Sequence, residues 1–453
     1  MPADLRATFE STGVHVAMVG IGLALLFVLA RELRYVPGKL IVLMFTAFVD
    51  MAGLFMVVPL IPFYVSRLGA GGVSVFGFEV DEGTLLGLVV SSFTVAQLLS
   101  APFWGRFSDR FGRRPVMLVA LTASAAAYLL FGFAETLWLL LLSRVVQGAG
   151  GGTVGVIQAY VADAVEPAQR ARALGWLSAS TNLGVALGPV LGSTAVRFAD
   201  VDLMPGGATL TLGAAAPGVA AALLCVLNAV FAAVYLEETR VRQPKGRRRP
   251  SIRSAIQRIV VQPTLPTSRI VLIYAIAIGS AHGINPLLAL FLGDRFGVTE
   301  QTIGYLFFYI GSLSVFARVL VLGRLVDRYG EVRVSRVGLC SLVTAFFLLP
   351  FADSLGTLAL AVAFLPIGMA LTFPCLTSLV SRLVPQSDRG MYLGVQQSFA
   401  GFARVVSPLV YGFAFDRFGN TSQFWFAGAI VLSTLLLGIG LRRATSEPHA
   451  PVP

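Results

Sequence analysis

The chain has 453 residues, 56% of them hydrophobic and only 13% charged, with a mean hydropathy of +0.80. A soluble domain is about one quarter charged, so an ordinary soluble fold is excluded. The net charge of +11 is spread over loops that flank apolar runs, which argues against a nucleic-acid surface and for topology and contact with anionic lipid.

Residues 1–38 form an extension in which 13–30 is apolar. A secretory signal opens with a positive region, whereas Arg6 is outweighed here by Asp4 and Glu10, and Arg31, Arg34 and Lys39 come after the run. An extra span with its N-terminus outside is expected, with a signal-like segment or translated upstream sequence as the alternatives. A hydrocarbon core roughly 30 Å thick takes about 20 apolar residues per helix, and the runs that follow lack two-residue alternation, so they predict helices. Spans are placed near 40–65, 84–104, 115–134, 137–163, 172–196 and 207–236, making a six-helix bundle over 39–236. A basic linker, 237–268, carries Arg240, Arg242, Lys245, Arg247, Arg248, Arg249, Arg253 and Arg258 against Glu237 and Glu238. Within it, 251–260 sets apolar residues at helical spacing beside arginines and is expected to lie on the membrane surface. Spans near 269–292, 301–322, 336–352, 356–382, 391–413 and 422–441 predict a second bundle over 269–445, with a tail at 446–453. Basic residues mark the cytoplasmic side. The loops at 105–114 and 323–336 fall on the linker's side, and Glu79, Asp81, Glu82, Asp200 and Asp202 on the other, so both ends of the twelve-span unit are expected inside.

The two bundles repeat one another. Gly105-Arg-Phe-Ser-Asp109-Arg110-Phe-Gly112-Arg113-Arg114 returns in part as Gly323-Arg-Leu-Val-Asp327-Arg328-Tyr-Gly330, 218 residues on, and Pro189 returns as Pro408, 219 on. The fold class is therefore an all-α polytopic membrane protein of two pseudo-symmetric six-helix bundles, the plan of many secondary transporters. Cys225, Cys340 and Cys375 lie inside spans without metal-ligand spacing and read as packing residues. With His15, His282 and His449 scattered and no Ser/His/Asp or paired-carboxylate arrangement in view, no enzyme chemistry, cofactor or metal is expected.

Three further motifs accompany the charged loop. Span 4 holds Arg144-Val-Val-Gln147-Gly148-Ala-Gly150-Gly151-Gly152, span 5 holds Gly184-Val-Ala-Leu-Gly188-Pro189-Val-Leu-Gly192, and span 1 holds Asp50 followed by Pro59 and Pro62. In order and spacing the chain resembles the major facilitator superfamily over 40–441, and within it the twelve-span drug:proton antiporters, above all tetracycline-efflux-like members. Gly105, Asp109, Arg110, Gly112, Arg113 and Arg114 match the loop pattern, and Phe107 stands where the family has Leu.

The resemblance implies roles that the residues can carry. Asp50, about ten residues into an apolar span, is costly to leave charged and suits proton uptake and release. Arg144, the basic residue well inside the N-half spans, is placed to pair with it. Ordinary structural pairing is the competing reading, since a buried ion pair is weak support for stability. Gly105, Asp109, Arg110, Gly112, Arg113, Gly323, Asp327 and Arg328 are read as a conformational latch, with Asp163 placed to accept Arg113. Asp109 and Arg113, four apart, share a face if that loop is helical. Gly184, Gly188 and Gly192 give a side-chain-free stripe for a neighbouring helix, and Pro189 bends it. The second half lacks the arginine, with Ala363 opposite Arg144, and His282 is a candidate second proton or substrate group. Arg318 and Arg404 either meet an anionic substrate or snorkel. Phe45, Phe48, Phe55, Gln97, Gln147, Gln158, Asn182, Phe373, Gln396, Gln397 and Arg404 are cavity candidates whose aromatic and neutral polar mix suits amphiphilic compounds.

The expected function is proton-coupled efflux of hydrophobic or amphiphilic drug-like compounds, tetracycline-like ones among them, by a monomer in the cell inner membrane. Its partners are then a small-molecule substrate, protons and membrane lipids. A proton symporter or facilitator for a sugar or other metabolite is the alternative on the same fold, and a non-transporting membrane receptor the alternative from another class.

Overall fold

The computed structural model describes residues 38–69, 73–75, 78–151, 156–158, 160–161, 165, 170–197, 212–238, 252–386 and 388–441. The segment read as an extra span, the linker between 239 and 251, and Asp163 lie outside the described residues. The chain divides into two compact units, one of residues 1–243 with 288–312, the other of 244–287 with 313–453.

In the first unit α1 (Gly38–Val57) passes through one 3-10 turn, Val58–Leu60, into α2 (Ile61–Leu68). That turn falls where Pro59 and Pro62 remove backbone donors and fix the local φ. A small antiparallel hairpin follows, β1 (Val73–Val75) with β2 (Phe78–Val80), Val73 opposite Val80, an element the helical pattern did not predict. Then come α3 (Glu82–Phe111), α4 (Arg113–Gly132), α5 (Leu137–Gly150), α6 (Arg170–Arg197) and α7 (Ala216–Tyr235). α3 runs well past its predicted end, so the charged stretch Gly105–Phe111 is helix rather than loop and stops only at Gly112, where φ is 103°. Leu43, Met44, Met117, Leu121, Ile157 and Leu177 build a buried core in this unit. Lipid tails are as apolar as these side chains, so close packing rather than water exclusion holds such helices together.

The second unit opens with α8 (Ile252–Val261), a helix where helical spacing was expected. Its buried Ala255 and Ile259, one turn apart, fix one face, while Val260 and Val261 stay exposed. α9 (Pro266–Phe296) follows; from Leu288 onward its residues, with α10 (Ile303–Phe316) as far as Ser312, cluster with the first unit. A π-helical stretch, Ala317–Leu322, joins α10 to α11 (Gly323–Tyr329). α12 (Glu331–Leu348), α13 (Leu355–Leu383), α14 (Arg389–Phe418) and α15 (Ser422–Leu437) complete the chain.

The internal repeat survives in local detail. Thr136 caps α5 by accepting from the Leu139 N–H at 3.3 Å, and Ser354, 218 residues on, caps α13 through a reciprocal box with Thr357. Gly184, Gly188 and Gly192 lie directly on the backbone of α1. A Cβ at Gly188 would stand 2.7 Å from the Ala52 carbonyl oxygen and 2.8 Å from Phe55 Cβ, and one at Gly184 or Gly192 would strike the Phe48 or Met56 carbonyl oxygen. In the second unit the same seam is built from the other side. Ala403, Ser407 and Tyr411 occupy the positions 219 beyond 184, 188 and 192. The missing side chains are now on α9, where a Cβ at Gly279 would meet Ala403 Cβ at 2.8 Å and one at Gly283 would meet Tyr411 Cδ2 at 2.8 Å.

Candidate functional site

The close seam between α6 and α1 fixes the helix that carries Asp50. The carboxylate is 6% exposed. One turn further along α1, Gly53 lies against Tyr128 of α4, where a Cβ would stand 3.3 Å from the ring and 3.4 Å from the hydroxyl. Tyr128, itself buried, is within electrostatic reach of both Asp50 and Arg144. Arg144, on α5, is 1% exposed; its Cζ stands 5.2 Å from the Phe131 ring centre, and its Nε and Nη2 have no hydrogen-bond partner. Gln147, one turn on, lies beside the Tyr128 hydroxyl. An acid and a guanidinium from two helices are thus buried within electrostatic reach of one phenol on a third. The sequence reading paired Asp50 with Arg144 and passed over Tyr128, although a phenol in the apolar run 115–134 was a usable signal.

The charged turn is built differently from expectation. Arg113 Nη1 donates to Asp109 Oδ1 at 2.8 Å and to Ser108 Oγ at 2.5 Å. The pair bridges the break at Gly112 instead of lining one continuous helix face, because Asp109 ends α3 and Arg113 begins α4. Glu238, read only as a linker counter-charge, accepts from the backbone N–H of Arg113 at 2.8 Å and of Arg114 at 3.2 Å. It thereby places a carboxylate on the orphan donors at the start of α4. Gly112 has both a left-handed φ and no room for a side chain, since a Cβ would run into that carboxylate. A Cβ at Gly105 would meet no neighbouring atom within 4 Å, and the Arg110 guanidinium lies 5.3 Å from the Phe111 ring centre.

At the corresponding turn in the second unit Gly330 again has positive φ, 77°. Gly323 has no close neighbour, Asp327 is exposed, and Arg328 lies 5.3 Å from the ring centre of Tyr329. The ion pair here joins Glu331 to Arg382 at 2.8 Å, with Ser378 Oγ donating to Glu331 at 3.0 Å. Glu331 stands 218 beyond Arg113, and Arg382 stands 219 beyond Asp163. The acid and base of the expected Arg113–Asp163 contact therefore recur with their signs exchanged.

A second interior group gathers on α9, α13 and α14. Gln397 Nε2 donates to the Tyr274 hydroxyl at 3.2 Å, and Arg404 Nη2 donates to Gln397 Oε1 at 3.3 Å. Tyr274 meets Phe373 edge to face at 5.3 Å, and Arg404 acts electrostatically on His282. The other cavity candidates scatter. Gln97 Nε2 donates to the Gly151 carbonyl at 3.3 Å and Asn182 Nδ2 to the Ser178 carbonyl at 2.7 Å. Phe45 packs on Phe231 at 5.0 Å, Phe48 and Phe55 are half-buried, and Gln158 is exposed. Gln396 is fully buried with both amide atoms unpartnered. Among the described residues no group of His, Cys, Asp and Glu is arranged to hold a metal.

At the end of α2 a further contact has no counterpart in the sequence reading. Arg67 reaches Glu300 at 3.7 Å, while Ser193 Oγ donates to the Glu300 backbone carbonyl at 2.8 Å and accepts from the Gly304 N–H at 2.9 Å. Burial pushes the Glu300 carboxyl above its ordinary 4.5, and Arg67 opposes that shift.

The Major Facilitator Superfamily profile matches residues 43–280 and 270–453. The class B tetracycline resistance protein of Escherichia coli is 26% identical over 370 residues, 81% of this chain and 86% of that protein. Multidrug resistance protein 1 of Bacillus subtilis (strain 168) is 25% identical over 410 residues, 90% and 96% of the two chains. The crystal structure of the human organic anion transporter MFSD10 (TETRAN) superposes with a TM-score of 0.64 at 25% identity, covering 89% of this chain and 100% of that one. With its all-helical multi-pass architecture, the chain belongs to the Major Facilitator Superfamily, a family of membrane transporters for small molecules and not of enzymes.

Proposed function

We propose that this transporter exports amphiphilic drug-like compounds in exchange for protons, as a monomer in the cell inner membrane. The observation that carries the reading is the buried group of Asp50, Tyr128 and Arg144, with the helix that carries Asp50 held by the glycine seam. An ionised carboxylate is costly there unless a partner compensates it, so adding a proton to Asp50 changes which arrangement of its neighbours is stable. Substrate and proton that favour different arrangements bias the protein in opposite directions, which is what exchange requires. Similarity to tetracycline and multidrug resistance proteins supports export as the direction.

The test is flux in proteoliposomes with an imposed pH gradient. Tetracycline or a lipophilic dye added to the wild-type protein should drive proton movement opposite to its own. Asp50→Asn should abolish gradient-driven transport while leaving substrate binding measurable. Gradient-driven transport at wild-type rate by that variant would remove Asp50 from the coupling step.

A further inference from the structure

The group around Tyr274 gathers two guanidiniums, those of Arg404 and Arg318, and an imidazole, His282. Arg404 spends its visible hydrogen bonds on neutral acceptors, the Gln397 amide oxygen and the Ala400 carbonyl, each at 3.3 Å. His282 lies in the field of Arg404, and its Nε2 is buried without a partner. Arg318, in the π-helical stretch, acts electrostatically on the same Tyr274. Such stretches re-aim side chains and recur at functional sites. Every acid from Asp294 to Asp416 (Asp294, Glu300, Asp327, Glu331, Asp353, Asp388 and Asp416) stands near a helix end or in a turn.

The internal repeat shows that the bundle does not need these groups to fold. Pro59 and Pro286 align the first helices of the two halves at an offset of 227, which sets Tyr274 on Ala47 and His282 on Phe55. The offsets of 218 and 219 set Arg318 on Ser100 and Arg404 on Val185. The same scaffold is completed in the first half with small or apolar residues at all four places. A guanidinium held in an apolar bundle without a carboxylate of its own half is costly, and an anion arriving from outside the chain relieves that cost.

We infer that Arg404, supported by Gln397, Tyr274 and His282, forms a binding site for the carboxylate of an amphiphilic organic anion, whose aromatic body rests on Tyr274 and Phe373. Arg presents a planar fork that fits a carboxylate in bidentate fashion, and the edge-to-face pair of Tyr274 and Phe373 at 5.3 Å supplies aromatic area beside it. This narrows the substrate class of the proposed exporter and rests on that reading only for the direction of transport.

The experiment compares two dyes on one xanthene frame, anionic fluorescein and cationic rhodamine 123, by fluorescence polarisation with the full chain in neutral detergent. No proton gradient is present, so binding is read apart from coupling. Fluorescein should bind at least about tenfold more tightly than rhodamine 123. Arg404→Gln should weaken fluorescein about ten- to a hundredfold, as expected for loss of a charged hydrogen-bond donor, while Arg404→Lys recovers part of the loss and rhodamine 123 is unmoved. Monodisperse Arg404→Gln protein that binds fluorescein like the wild type would overturn the inference. So would wild-type protein that fails to prefer fluorescein, a comparison that decides the matter even if the variant does not fold. Anion-selective binding with no proton-driven flux of either dye in proteoliposomes would instead sink the exporter reading and leave the site standing.

Discussion

The seam between α6 and α1 allows a sharp comparison within one helix. Replacing Gly188 by Ala adds a single methyl whose position lies 2.7 Å from the Ala52 carbonyl oxygen and 2.8 Å from Phe55 Cβ. Ordinary contact begins near 3.4 Å, so α6 must retreat by about 0.6–0.7 Å or α1 must yield, and overpacking of this size costs about 1–3 kcal/mol. The obstacle is helix backbone, which cannot swing aside as a long side chain does. Against this, Gly→Ala gains about 1 kcal/mol of helix propensity, so the net expectation is a loss of up to about 2 kcal/mol. Gly175 is the internal control: it lies on the same helix, where an added Cβ would meet no neighbouring atom within 4 Å, so Gly175→Ala should be neutral or stabilising by up to about 1 kcal/mol. Tryptophan-fluorescence melting in detergent reads both variants. Gly188→Ala should melt below the wild type and slow proton-coupled transport by displacing Asp50, with Gly175→Ala at or above wild type on both measures. Equal melting temperatures for the two variants would show that the seam is looser than these contacts require.

Three further outcomes are expected. Tyr128→Phe, which removes the hydroxyl within electrostatic reach of Asp50 and Arg144 and little else, should shift the pH profile of transport while leaving folding intact; an unchanged profile would make Tyr128 a packing residue. Glu331→Arg should impair transport by placing two cations together at 382, and the double variant Glu331→Arg with Arg382→Glu should recover more than half of the loss; no recovery would show that the ion pair is not what matters there. Burial raises the Glu300 carboxyl above its ordinary 4.5, so the protonated form favours this packing, and the associated stability is full below the ordinary value and lost as pH rises through the raised one. Glu300→Gln should flatten that part of the pH dependence of the melting temperature, and a profile identical to the wild type would remove Glu300 as its source.

What the sequence disclosed and what it concealed separate along physical lines. Twelve apolar runs and two offsets made the architecture readable, because span length and duplication are written in consecutive residues. The glycine stripe was readable too, since a four-residue spacing puts Gly184, Gly188 and Gly192 on one face whatever they meet. Contacts between distant segments were not. Nothing local in Glu238 says that it caps α4, some 125 residues earlier, and nothing in Tyr128 names Asp50 and Arg144 as its neighbours. The helical extent of Gly105–Phe111 was concealed for another reason: charge density suggested a loop, whereas an α-helix continues until a residue such as Gly112 takes a left-handed φ.

The two halves preserve contact and exchange chemistry. Close approach of a helix pair is kept although the glycines move from α6 to α9, and an acid–base pair is kept at the charged turn although Arg113 with Asp109 in the first half is answered by Glu331 with Arg382 in the second. Such features depend on distance and on opposite sign, so either helix can supply either member. The interior groups behave otherwise. Asp50 and Arg144 face Ala277 and Ala363 in the repeat, while His282 and Arg404 face Phe55 and Val185. A group whose task is to take up a proton or hold an anion cannot be traded for its opposite. On the proposed exchange, the interior acid of the first half and the interior arginine of the second serve separate tasks, so a substitution in one group should move proton coupling or anion selectivity separately, and one in the glycine seam should move both.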